Sequence, residues 1–276
     1  MENWLNYAEY RPVNTVVGSL KILPNVWSPQ LQNERDIFVW LPASYEHSDK
    51  HYPVLYMHDG QNLFDTTISF SGEWCVDETL TDLAAGGVEA IVVGIANLGV
   101  LRGNEYSPFT DQWVRQGGCG DAYLEFIVNV IKPLIDRDFR TLPQRKYTAM
   151  LGSSMGGLIT LYAAFEYSAV FGIVGVLSPA LWFGNREIFS FVQRSTAAPL
   201  RIYLDAGTAE GRFMVPDARR MATLLRAKGL DNALVYVEEP DAPHSEAAWS
   251  DRMHFVLMYM LRGIRAAQPA IGVLVE

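Results

Sequence analysis

The feature that most constrains this chain is an alternation. Seven short apolar runs recur along it: DIFVWLP (36–42), PVLYMHD (53–59), AIVVGIAN (90–97), KYTAMLG (146–152), GIVGVLSP (172–179), LRIYLDAG (200–207) and ALVYVEE (233–239). They are rich in β-branched and aromatic residues, and each ends at Gly, Pro, Asn or an acid, so each reads as a strand. Helical patterns lie between them, clearest at 77–84, 121–137, 156–167, 214–228 and 245–262. The last has Ser and Glu in its first turn and stops at Gly263, as capping and the macrodipole favour. Strands that are apolar throughout, interleaved with helices, predict an α/β fold: a mostly parallel central sheet with helices on both faces. VGSLKIL (17–23) adds a strand near the start whose alternation suits an edge hairpin.

Composition fits that frame. Of 276 residues, 49% are apolar and 19% charged, a core-forming balance. There is no internal repeat, low-complexity tract or Pro/Gly/Ser-rich linker, so one domain over 1–276 is expected. A net charge of −9 argues against nucleic acid and against anionic membranes as partners. The start, MENWLNYAEY, has Glu2 and no apolar run, and no window approaches the roughly 18 apolar residues of a membrane span. A soluble cytoplasmic protein is the expectation. Cys75 and Cys119 form no CxxC and have no histidines at ligand spacing, so neither a zinc site nor a disulfide scaffold is expected. The segment 99–121 follows neither period. Its Arg102, Glu105, Tyr106, Phe109 and Trp113 suit the wall of a binding site better than a solvated linker.

Reactive groups of a parallel α/β sheet gather at the carboxyl edge, where strands end and helices begin. Gly152-Ser153-Ser154-Met155-Gly156 is a G-x-S-x-G placed at such a junction, between KYTAMLG and GLITLYAAF. The small residues permit a sharp turn that lifts the Ser154 Oγ above the sheet, beside the amides of the next helix. A serine hydroxyl needs a base. Of the five histidines, His47 and His51 flank a polar turn, His254 lies among apolar neighbours in the last helical pattern, and His58 ends a strand, where it holds a loop. His244 stands in the loop between the final strand and the final helix, C-terminal to the serine, as a Ser–acid–His order requires. An acid must orient that imidazole. Asp205 and Glu210 both follow LRIYL, with Asp241 more remote, and periodicity does not choose among them. The turn after PVLYMHD exposes the Gln61 amide, which with the Met155 amide could form an oxyanion hole.

These residues bring the chain close to a known family. RDIFVWLPASY (35–45), PVLYMHDGQNLFD (53–65), GEWCVDETL (72–80), NEYSP (104–108), LGSSMGG (151–157), SPALWF (178–183), LDAGTAEG (204–211) and PHSEAAW (243–249) together resemble the esterase D and enterobactin-esterase-like branch of the α/β-hydrolases, which includes feruloyl and acetyl-xylan esterases and the mycolyltransferases. The resemblance implies the α/β-hydrolase fold and a serine ester hydrolase working through an acyl-enzyme. It implies Ser154 as nucleophile, His244 as base, Glu210 (the end of a GT-x-[DE] pattern) as acid, and Gln61 and Met155 as oxyanion donors. It further implies Arg102, Tyr106 and Trp182 beside the substrate, and no metal or organic cofactor. A small-molecule ester, a sugar-linked acyl ester or a siderophore-type lactone, is the implied substrate. An acyltransferase of the same architecture and a non-catalytic binding protein are the alternatives, and the oligomeric state stays open. No lysine follows the glycine turn, as a phosphate-binding loop would need.

Overall fold

The computed structural model describes residues 3–196, 199 and 201–267. Nine strands form one sheet: β1 (Leu5–Asn6), β2 (Ser19–Ser28), β3 (Asn33–Leu41), β4 (Val54–His58), β5 (Ile91–Ile95), β6 (Thr148–Ser153), β7 (Ile173–Leu177), β8 (Arg201–Gly207) and β9 (Leu234–Glu239). Their spatial order is β1-β2-β3-β5-β4-β6-β7-β8-β9. The first three strands and the β3–β5 pairing are antiparallel, and every pairing from β5 to β9 is parallel. The expected edge hairpin is therefore β2–β3. Its register slips between Leu23 and Val26, around Pro24, which has no N–H to offer the ladder.

Burial explains why the strands read as continuous apolar runs. Every residue of β4, β5, β6 and β7 is buried. Alternate side chains enter opposite layers: Val54 and Tyr56 of β4 pack on one side, Leu55 and Met57 on the other. The first layer is roofed by α2 (120–138), α3 (Met155–Glu166), α4 (Glu187–Arg194) and α5 (Met214–Ala227), which contribute Ile127, Leu158, Ile188 and Met221. The second is roofed by α1 (Val76–Ala84) and α6 (Glu246–Leu261), through Leu80, Val256 and Leu257. Among the described residues no helix is long and apolar enough to cross a membrane.

Three details depart from the sequence reading. Helix α4 is an extra element, only eight residues long. Helix α2 widens into a π segment at Ile127–Ile131, just before Pro133, whose ring and missing N–H cannot continue the regular ladder. His254, expected to pack, is exposed on α6 beside Phe255.

The chain runs from β4 outward to β5, then crosses back over β4 to β6. This reversal opens a crevice beyond the carboxyl ends of β4 and β6.

Candidate active site

Ser154 occupies the turn between β6 and α3 with φ 55° and ψ −119°. For a residue with a Cβ this conformation costs roughly 1–3 kcal/mol and persists only where neighbours over-determine it. They do so here. The Ser154 N–H donates to Leu177 O at 3.0 Å, and its carbonyl accepts from Ala180 N at 2.9 Å and Leu158 N at 3.0 Å. The flanking glycine is a steric requirement, because a Cβ on Gly152 would lie 2.7 Å from the Gly156 backbone and from the His58 ring. Ser153 is buried, whereas Ser154 lines an open cleft of about 750 Å³. Met155 is the first residue of α3, so its amide is one of those with no acceptor inside the helix.

The same cleft is lined by His244, just ahead of the Ser245 cap of α6. Its Nδ1 lies 3.3 Å from Glu210 Oε2, and its ring meets Trp249 edge-on at 4.9 Å. That carboxylate oxygen is buried and has no other partner among the described residues. Glu210 Oε1 accepts from Gly207 N at 3.0 Å and from the Ser178 hydroxyl. Burial pushes the Glu210 pKa up, but the contacts with His244, Ser178 and Gly207 outweigh it and hold the carboxyl below its usual range. Asp205 faces elsewhere: it is fully buried and takes Arg252 Nε at 2.6 Å. Asp241 is exposed and donates its N–H to Thr208 Oγ1.

The β4 side supplies the other wall. Gly60–Asn62 forms a tight turn against β5, where a Cβ on Gly60 would meet the Gly94 carbonyl carbon at 2.6 Å. Gln61 lines the cleft, and its Oε1 accepts from Asn97 N at 3.0 Å. Asp59 binds Arg102 through both oxygens, at 2.7 and 2.8 Å, and also accepts from Asn97 Nδ2 at 2.7 Å. Burial raises the Asp59 pKa, yet Arg102 and Asn97 bring it below the ordinary value. His58 is sealed beneath, between the Tyr123 hydroxyl and Thr160 Oγ1, and burial lowers its pKa to about 4, so it stays neutral.

Arg102 lines the cleft, but two other expected contacts do not. Tyr106 is completely buried, and its hydroxyl accepts from Asp59 N at 3.1 Å. It lies behind Asp59, which in turn holds Arg102, and this corrects the expectation of direct contact. Trp182 is partly exposed, outside the cleft lining. The 99–121 segment is more ordered than its sequence suggests, with a short helix at Arg102–Glu105 and a two-rung ladder pairing Thr110–Asp111 with Gln116–Gly117. Sequence reasoning missed Glu246, Phe70 and Val100, which also line the cleft; Phe70 and Val100 are 91% and 84% exposed. Their type carried no signal, since a lone Phe or Val in a loop is ordinary. Among the described residues, Glu73, Cys75 and Glu78 alone bring ligand-type atoms within 4.8 Å of one another, and none of the three lines the cleft.

Comparison with known proteins bears on this arrangement. Residues 28–258 match the Esterase family model, described as "Putative esterase". The protein YbbA of Bacillus subtilis, uncharacterized itself, is 26% identical over 224 residues, or 76% of this chain and 86% of its own. The siderophore triacetylfusarinine C esterase of Aspergillus fumigatus is 28% identical over 177 residues, covering 59% of this chain and 58% of its own. Among solved structures, the BES protein from Bacillus cereus superposes with a TM-score of 0.70 at 19% identity, over 87% of this chain and 94% of its own. The enterobactin esterase of Shigella flexneri, solved in the presence of enterobactin, gives 0.72 at 19% identity over 87% and 57%. Those structural likenesses speak to the fold, while the family match spans most of the chain, from β2 into the last helix. The chain therefore belongs to the Esterase family, and it is a carboxylic ester hydrolase with the α/β-hydrolase fold.

Proposed function

We propose that this hydrolase works through an acyl-enzyme on Ser154, with His244 as general base and Glu210 as the acid that orients it. The observation that carries the reading is that the strained Ser154 and His244 line one cleft, with Glu210 against His244 Nδ1. His244 Nε2 takes the Ser154 proton as Oγ attacks the ester carbonyl, and Glu210 stabilises the imidazolium from Nδ1. The amides of Gln61 and Met155 receive the oxyanion, each donor contributing about 3 kcal/mol to the barrier. Collapse releases the alcohol, which takes the proton back from His244. Water, activated by the same imidazole, then frees the acid.

Siderophore-type lactones and sugar-linked acyl esters are the substrate classes to try first, since relatives are named for triacetylfusarinine C, enterobactin and ferulic acid. Phe70 and Val100 at the rim favour an ester with an apolar or aromatic part. The test is mass spectrometry after treatment with an aryl phosphonate, alongside turnover of a p-nitrophenyl, feruloyl and lactone ester panel. The adduct is expected on Ser154, and Ser154→Ala is expected to lose on the order of 10⁴-fold in turnover while staying folded. An adduct on Ser153, or activity that survives the substitution, overturns the assignment.

A further inference from the structure

Behind Glu210 lies a buried polar cluster that the chemistry above leaves unused. Ser178 follows β7, is fully buried and sits at φ 40°. Its hydroxyl oxygen accepts from Trp249 Nε1 at 3.0 Å and from Arg252 Nη2 at 2.9 Å. An indole N–H and a guanidinium can only donate, whereas a hydroxyl has two lone pairs and one proton. Both lone pairs are therefore taken, and the proton has one place to go, Glu210 Oε1. With Gly207 N on the same oxygen, Oε1 is saturated and Oε2 is left for His244.

Arg252 is itself fixed on every nitrogen. Its Nε donates to Asp205 Oδ2 at 2.6 Å, its Nη2 is shared between Asp205 Oδ1 at 3.2 Å and Ser178, and its Nη1 donates to Ala248 O at 2.8 Å. Asp205 Oδ1 also accepts the Ser178 N–H at 2.8 Å, so one carboxylate anchors both the backbone and, through Arg252, the hydroxyl of the same residue. Trp249 and Arg252 lie three apart, on one face of α6, and Trp249 also touches the His244 ring. A buried ion pair seldom repays its desolvation through stability alone. Placed here, it specifies a geometry.

We propose that Asp205, Arg252 and Ser178 are positioning residues for ester hydrolysis: together they force the Ser178 proton onto Glu210 and so aim its other oxygen at His244. The proposal rests on the Ser154–His244–Glu210 reading, and a double-substitution cycle separates the two. Ser178→Ala removes the proton and leaves the Asp205–Arg252 pair; Ser178→Gly does the same and relieves the positive φ. Each is expected to lower kcat about tenfold at unchanged KM, the scale of one hydrogen bond to a charged group. In a Glu210→Ala background, the same Ser178 substitution is expected to change kcat less than about twofold, because what it aims is gone. Arg252→Lys, which can still meet Asp205 but offers no fork to reach Ser178 as well, is expected to match the loss of Ser178→Ala. Equal losses in both backgrounds, or a kcat unaffected by either Ser178 variant, overturn the positioning role while leaving the triad standing. Full turnover by Glu210→Ala overturns the triad reading, and the positioning role falls with it.

Discussion

Two Asp–Arg pairs of the same design flank this site, and they differ in what covers them. Arg252 binds Asp205 through Nε and Nη2, as Arg102 binds Asp59. The Arg252–Asp205 side chains are 6% and 0% exposed, whereas those of Arg102–Asp59 are 27% and 7% exposed and line the cleft. Asp59 also has the Asn97 amide, and its pKa falls below the usual range. Asp205 is pushed upward by burial, against the pull of Arg252, with the Glu210 charge adding to the push. The sealed pair holds one anion beside another and leaves Arg252 no freedom. The open pair uses two guanidinium nitrogens and leaves Arg102 Nη1 without a hydrogen-bond partner among the described residues. Identical chemistry thus fixes geometry where water is excluded and presents charge where it is not.

The largest effect that separates the pairs is on stability. Arg252→Met leaves Asp205 buried without its counter-charge and is expected to cost about 3–5 kcal/mol. Arg102→Met, at the partly hydrated pair, is expected to cost less than half of that. Urea midpoints of both variants measure the gap, and equal losses would erase the distinction.

The acid limb of stability is the next. Asp59 has a depressed folded pKa, so its contribution is present above the unfolded value near 4 and is lost as pH falls through the folded value. Asp205 has a raised folded pKa, so its contribution is complete below the unfolded value and is lost as pH rises through the folded one. Asp59→Asn is therefore expected to flatten the rise in stability on the acid side of the unfolded value near 4, and Asp205→Asn to steepen it on the other side. Midpoints taken on both sides of that value test both signs.

The smallest effect concerns charge selection. Arg102 presents positive charge to the cleft and Glu246 negative charge, although burial raises the Glu246 pKa. Glu246→Gln is expected to raise kcat/KM for an anionic ester over its neutral analogue a few-fold, about 1 kcal/mol or less. Arg102→Gln should shift that ratio the other way, and no change in either would mean that the open pair presents no charge to substrates.

Much of this was legible in the sequence because it depends on local pattern. Fully buried strands read as unbroken apolar runs, and a serine between glycines at a strand–helix junction marked the turn at Ser154. The choice between Asp205 and Glu210 was not readable from spacing. What engages Asp205 is Arg252, 47 residues away in sequence and adjacent only in space. Tyr106 misled for a related reason. An aromatic in an aperiodic segment looks like a wall of the cleft, but here it lies one layer deeper, against His58 and Tyr123. Helix α4 is too short for its period to stand out.

The turn that clamps Ser154 has a consequence for tolerance. Leu177 and Ala180 hold the Ser154 backbone, and Ser178, between them, holds Glu210. The distance from serine to carboxylate is therefore referenced to a single four-residue bracket, and small displacements of the long chain between Ser154 and Glu210 do not accumulate in it. Change inside the bracket shifts both ends at once. A scan confined to Ser154, His244 and Glu210 would not see these four positions, where one change moves two members of the site.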